Sequence, residues 1–247
     1  MSRTTVTFNG TDLTTNYHVS NIREKLLPRE ISAVEVPGMD GEQFAGTRLN
    51  AKELTLTLTA ISKTLAGRRS AARSLAAILA VDKPKALSIS ADSGLYYLAI
   101  PTAQKDTSQF RNAARFDVTF RLLDPVMYGD EKTVNLTNSS NKTFTVGGTY
   151  PTYPVFTSSD AKGRSSSGQY IQINDAISGE TLKLPVPYGE DTHTVTIDCA
   201  NRTATVDNVV TAIDLSSDWL TLKPGSNTLR RIYGTGTFTV TWRERWL

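Results

Sequence analysis

Two histidines, one cysteine and a few carboxylates are the side chains through which this chain of 247 residues would do chemistry. A transition-metal centre needs several His, Cys or carboxylate ligands at short spacing. His18 and His193 stand far apart, and no His or Cys pair supplies such a set, so no metal and no cofactor is expected. A nucleophilic serine needs a base and a strand-to-helix elbow of the Gly-x-Ser-x-Gly kind. Ser166 precedes Gly168 but lacks that frame. His193 shares strand parity with Val195, which reads as a structural histidine. Glu190 and Asp191 follow Gly189 as neighbours and would face opposite ways along a strand. Glycoside hydrolysis instead needs two carboxyls facing each other across a sugar cleft. Gly147-Gly148 reads as a β-turn, and no phosphate-cradling or dinucleotide fingerprint is present. The chain reads as a protein that is not an enzyme.

Binding chemistry is equally sparse. The formal net charge is only +3, with sixteen basic and thirteen acidic residues up to Asp130 and eleven of each after it. Neither half carries the dense positive field of a nucleic-acid binder. No run of about 18 apolar residues exists, so no membrane insertion is expected. The first residues enter an alternating strand pattern directly and do not read as a signal peptide. Arg68, Arg69 and Arg73 could hold a phosphate or a partner, but a solvated helix face is the simpler reading. Trp219, Trp242, Trp246, Tyr150 and Tyr153 could stack on sugars, although Trp242 follows the apolar parity of Phe238 and Val240 and belongs in a core. The lone Cys199 shares parity with Val195 and Ile197 and reads as a small buried side chain. The sequons at Asn9, Asn138, Asn141 and Asn201 read as turn and strand chemistry in the absence of a secretory signal.

The elements that would position these groups are almost all strands. Residues 51–61 alternate cleanly, with Leu54, Leu56, Leu58 and Ala60 on one face and Thr55, Thr57 and Thr59 on the other. Phe116, Val118, Phe120 and Leu122 repeat the pattern. Further strands are expected over residues 4–8, 17–23, 29–36, 86–90 and 95–100. One helix is expected over residues 64–80, where Leu65, Ala72, Leu75, Ile78 and Leu79 recur at helical spacing until Lys83-Pro84 ends the run. The Gly-rich stretch PGMDGEQFAGTRL reads as a loop or turn pair, and residues 102–109 as a turn-like or mobile arm. Asp124-Pro125 and Tyr128-Gly129 mark a domain boundary, giving domains 1–130 and 131–247. After the boundary, strand-like runs recur about every ten residues, including 219–222, with no helical pattern. Thr237, Thr239 and Thr241 alternate with Phe238, Val240 and Trp242 in the closing strand. The expected fold class is mainly β: a sandwich with one helix and a hairpin, followed by a second β-sandwich.

Four segments in this order resemble one family. They are PGMDGEQFAGTRL with its Thr/Leu strand, the helix around residues 68–80, the phrase Phe120-Arg121-Leu122-Leu123-Asp124-Pro125 with Tyr128-Gly129, and the closing WLTLKPGSNTL…GTFTVTWRERW. Together they resemble the distal tail proteins (Dit) of long-tailed, non-contractile phages. The resemblance implies an N-terminal ring-forming domain with a helix and an extended hairpin, and a C-terminal galectin-like β-sandwich. It implies a hexameric ring of identical subunits at the virion's tail tip, made in the cytoplasm of the bacterial host. The ring would link the tail tube protein to tail-tip, tail-associated and baseplate proteins.

A scaffold of this kind needs rigid sheets and contact surface, and a cyclic ring joins two different patches on neighbouring copies. Candidate ring contacts are the 51–61 strand (Thr55, Thr57, Thr59), the 86–100 hairpin (Tyr96) and the 102–109 arm (Gln104, Lys105, Asp106). The chain leaves no room for an inserted sugar-binding module, and its second half offers no His-Asn-Arg-Trp set, so glycan binding is not expected. The alternative reading is a monomeric carbohydrate-binding β-sandwich.

Overall fold

The computed structural model describes residues 4–24, 26, 29–105, 109–137, 139–164 and 168–247. The chain divides into two compact units, Met1–Met127 (with Leu247) and Tyr128–Trp246.

The first unit contains β1 (Val6–Phe8), β2 (Thr11–Asp12), β3 (His18–Glu24), β4 (Arg29–Glu35), β5 (Glu42–Leu49), β6 (Lys52–Ile61), α1 (Leu65–Leu79), β7 (Lys85–Ile89), β8 (Tyr97–Lys105), β9 (Gln109–Phe110) and β10 (Ala113–Leu122). All strands but β4 and β5 join one antiparallel sheet in the order β2-β1-β7-β8-β10-β6-β3, with β9 beside β10. Its alternation is the one written in the sequence. Leu54, Leu56, Leu58, Val118, Phe120 and Leu122 are fully buried on the inner face. Strands β1 and β10 lie three steps apart, about 14 Å along a flat sheet. The Phe8 and Phe120 ring centroids are nevertheless 5.0 Å apart, because the sheet curls around its own apolar face.

Helix α1 closes that core. Thr64 caps it by accepting from the Gly67 amide at 3.1 Å, which satisfies one of the free amides of the first turn. Leu75 and Leu79, four residues apart, are buried, and the Tyr17 hydroxyl donates to the Ala71 carbonyl at 2.8 Å. Leu65, expected on the buried stripe, is 48% exposed. It sits in the first turn, where the helix has only begun to approach the sheet.

The second unit contains β11 (Met127–Leu136), β12 (Lys142–Val146), β13 (Val155–Ala161), β14 (Tyr170–Asp175), β15 (Thr181–Pro185), β16 (His193–Asp198), β17 (Thr203–Val206), β18 (Val209–Val210), β19 (Gly225–Tyr233) and β20 (Phe238–Trp246). They form a six-stranded sheet, β11-β20-β13-β16-β17-β18, and a four-stranded sheet, β12-β19-β14-β15. Inward residues of both sheets share one core, among them Phe156, Ile171, Leu184, Ile197, Leu229 and Phe238. This is a β-sandwich, and the fold as a whole is mainly β. The Pro224-Gly225 turn that leads into β19 is held by buried Asn227. Its side-chain oxygen accepts from the Lys223 amide at 3.0 Å, and its amide group donates to the Lys223 carbonyl at 2.7 Å.

Three local expectations give way. The stretch read as a loop, PGMDGEQFAGTRL, contains the whole of β5. Residues 102–105, read as part of an arm, extend β8 and pair with β10 as far as Lys105↔Asp117, while residues 106–108 lie outside the described residues. Residues 219–222 form no strand. Leu220 and Leu222 are buried, but the backbone bridges only at Thr152↔Leu222, so the segment lies along the core without joining a sheet.

Candidate assembly surface

Among the described residues, strands β4 and β5 pair with each other and with no other strand. The register places Arg29 opposite Leu49, Ile31 opposite Thr47, Ala33 opposite Phe44 and Glu35 opposite Glu42. Residues directly opposite share a face, so Leu49, Ile31, Ala33 and Phe44 make an apolar stripe along one side of the ribbon. The other side carries Glu30 against Arg48, Ser32 against Gly46 and Val34 against Gln43. Arg48 donates to Glu30 at 2.7 Å, and that hydrogen bond holds the Glu30 carboxyl below its ordinary pKa. Both side chains are solvated, so the pair contributes little stability. Ile31 and Phe44 are each 66% exposed. The apolar stripe is therefore uncovered in the single chain.

Sequence pattern marks residues 29–36, and so β4, as a strand but misses β5. A bulge pairs Ser32 with Gly46 but Ala33 with Phe44, leaving Ala45 without an opposite residue. The bulge interrupts the period of two, and β5 carries too few apolar residues to display one. The signal that remained was the pair of turns Pro37-Gly38 and Asp40-Gly41 between two runs of strand length. Gly38 and Gly41 both adopt positive φ, +86° and +82°.

The residues singled out as ring contacts fall in different settings. Thr55 and Thr59 are half-buried on the outer face of β6, and the Thr55 hydroxyl lies 3.1 Å from that of Thr119. Thr57 is buried, its hydroxyl donating to Asp117 at 2.7 Å, and it presents almost no side-chain surface. Tyr96 is half-buried just before β8 and lines an open concavity with Thr5, Ser88 and Asp92. Gln104 and Lys105 lie in β8, with their backbones opposite Val118 and Asp117. Asp106 lies outside the described residues.

Of the groups considered for chemistry, His193 is engaged in structure, and Ser166 lies outside the described residues. The Nδ1 atom of His193 lies 2.7 Å from Asp207 Oδ2, and Asp207 also accepts from the Thr194 amide at 2.8 Å. These contacts pin the β17–β18 turn, where Asp207 and Asn208 both take positive φ. Among the described residues no group of three or more His, Cys, Asp or Glu could hold a metal ion. The aromatic residues do not make a common platform. Trp242 is buried against Phe144 at 4.8 Å between ring centroids, Trp219 packs partly buried on the core, and Tyr150 and Tyr153 flank the guanidinium of Arg245. Arg245 also donates to the Pro151 carbonyl at 3.0 Å. Among the described residues no helix is long and apolar enough to cross a membrane.

Two family models cover nearly the whole chain between them. Residues 8–122 match the phage tail protein RIFT-related domain, and residues 147–246 match the C-terminal domain of the siphovirus-type tail component. The distal tail protein of Bacillus phage SPP1 is 26% identical over 252 residues, covering 98% of this chain and 96% of that protein. The crystal structure of the SPP1 Dit protein superposes with a TM-score of 0.80 at 19% identity, over the full length of both chains. A chain of the phage p2 baseplate, in its activated conformation with strontium, gives a TM-score of 0.52 at 9% identity over 98% of this chain and 97% of that one. The curled sheet with its helix, the second sandwich and both family models lead to one assignment. The chain belongs to the distal tail protein (Dit) family of siphophage structural proteins.

Proposed function

We propose that the protein is a scaffold subunit, without catalytic activity, that closes into a hexameric ring through residues 1–130 and joins the tail tube to the tail-tip and baseplate proteins. The observation that carries this reading is the β4–β5 ribbon. A two-stranded hairpin is at best marginally stable alone in water, and this one leaves Ile31 and Phe44 each 66% exposed. A neighbouring copy that covers the stripe supplies the packing partner the ribbon lacks. A contact between this stripe and a different patch of the next copy is of the head-to-tail kind that generates rings. The sandwich of the second unit would then present its loops to the tail-tip proteins. The virion's tail tip is the place where such a ring would reside.

Light scattering after size exclusion, over a dilution series, tests the reading. The expected mass is six times that of the chain. The I31S/F44S variant should fall towards the single-chain mass while keeping its circular dichroism. A wild-type protein that stays monomeric even when mixed with tail tube and tail-tip proteins would refute the ring.

A further inference from the structure

We infer that the acidic tip of the β4–β5 hairpin docks on the arginine face of α1 in a second copy of the chain. The inference rests on the ring reading above and names the two surfaces that meet. At the tip, Glu35 stands directly opposite Glu42, and Asp40 lies in the connecting turn. All three are exposed, and among the described residues none is within ion-pair distance of a cation. Like charges directly opposite on a ribbon destabilise it. Helix α1 shows the converse. It contains no acidic residue, and Arg69 and Arg73 are exposed four residues apart, a like-charge spacing that destabilises a helix. Arg68 is different, because it donates to the Ser62 and Arg111 carbonyls, each at 3.1 Å.

The two pairs match in spacing as well as in sign. Opposed residues on a ribbon have Cβ atoms about 5 Å apart, and helix residues four apart have theirs about 5–6 Å apart. A ribbon lying across the helix would therefore set each carboxylate against one guanidinium. Met39 in the turn is 62% exposed and Leu65, one turn before Arg69, is 48% exposed, which adds an apolar component to the contact. Asp40 and Lys63 extend the same complementarity. Among the described residues of one chain, the tip carboxylates and the helix arginines form no ion pair with each other. Joining them between copies relieves two repulsions at once and gives the head-to-tail step its direction.

A charge-reversal exchange tests this. E35K/E42K alters only the tip, and R69E/R73E alters only the helix; all four sites are on the surface, so both variants should keep the wild-type circular dichroism. Each alone should associate at least about tenfold more weakly than wild type at low salt, since like charges now face each other. An equimolar mixture of the two should recover the assembly, because a lysine tip meets a glutamate helix and a glutamate tip meets an arginine helix alternately around the ring. Wild-type association should also weaken as salt is raised. If either variant alone assembles as well as wild type, or if the mixture fails to recover, the docking is wrong even though the ring stands. A wild-type protein that never assembles refutes the ring itself.

Discussion

Lys52 and Glu24 tie together the two ends of the hairpin. The chain leaves the curled sheet at Glu24, runs out through β4 and back through β5, and re-enters at Lys52. There the ammonium lies 3.1 Å from the Glu24 carboxylate. Lys52 is 4% exposed, and its second partner is the Tyr97 hydroxyl at 3.2 Å, which itself donates to Glu24 at 3.2 Å. Burial, and after it the charge of Glu24, push the Tyr97 hydroxyl well above its ordinary pKa. The tyrosine therefore stays protonated and available as a donor. The three groups fix where the ribbon begins and ends on the first unit.

A buried cation stripped of its partner costs more than a buried cation replaced by a methylene chain. Glu24→Gln should destabilise the protein by about 1–3 kcal/mol, below the roughly 3–5 kcal/mol usual for a broken buried pair because Glu24 is partly solvated. Lys52→Met should cost less than that, and the double variant should be more stable than Glu24→Gln alone. Urea titrations of the four proteins would measure the coupling. A double variant no more stable than Glu24→Gln alone would mean the two charges do not act together.

Much of this architecture is legible in the sequence where burial imposes a period. The faces of β6, β10 and β20 follow directly from Leu54-Leu56-Leu58, Phe116-Val118-Phe120 and Phe238-Val240-Trp242, because each strand has one face in a core. Helix α1 is bounded by Thr64 and Pro84 in the chain as written. Strand β5 escapes the same reasoning because neither face of the hairpin is buried within the subunit, so no pressure imposes alternation and the bulge at Ala45 interrupts what remains. A surface that is not buried within its own chain leaves a weak periodic signal there. The Thr57 hydroxyl illustrates the opposite limit: parity places it on the outer face, but only the register of β6 against β10 reveals that Asp117 takes it up.

Gly147-Gly148 looks like an ordinary turn in the sequence, but Gly148 is fixed by contact. It adopts φ +90°, and a Cβ there would overlap the Arg245 carbonyl, which accepts from the Thr149 and Tyr150 amides at 2.9 and 3.0 Å. Gly148→Ala should therefore cost roughly 3 kcal/mol or more, combining left-handed strain with displacement of β20. Gly179 is the internal control, with φ +80° and open space where an alanine methyl would stand. Gly179→Ala should cost only about 1 kcal/mol. Equal losses at the two sites in a denaturant titration would remove the contact from the argument.

Cys199 should be inert in the folded protein. It is 2% exposed, and burial pushes its thiol up to about 12, so almost none is thiolate near neutrality. An aromatic disulfide reagent at about pH 8 should react only as fast as the sandwich opens, and should titrate the single thiol promptly after denaturation. Rapid labelling of the native protein would show that the region around β16 opens far more readily than its packing implies.

The second unit should lose stability in acid through carboxylates held as acceptors. Asp160 accepts from the Thr237 amide at 2.8 Å and from the Ser158 hydroxyl at 2.9 Å. Asp207 accepts from His193 and the Thr194 amide, and Asp214 from the Ser216 hydroxyl and amide. These hydrogen bonds hold all three carboxyls below their ordinary value of 3.8. Because the folded values are depressed, the stability they contribute is present above 3.8 and is lost as pH falls through the lowered folded values. Melting temperature should thus decline between about pH 5 and about pH 2. Asp160→Asn can still accept from Thr237 but does not titrate, so its melting temperature should decline less steeply over that range. An unchanged slope would show that the bonds to Asp160 do not distinguish the charged from the neutral carboxyl.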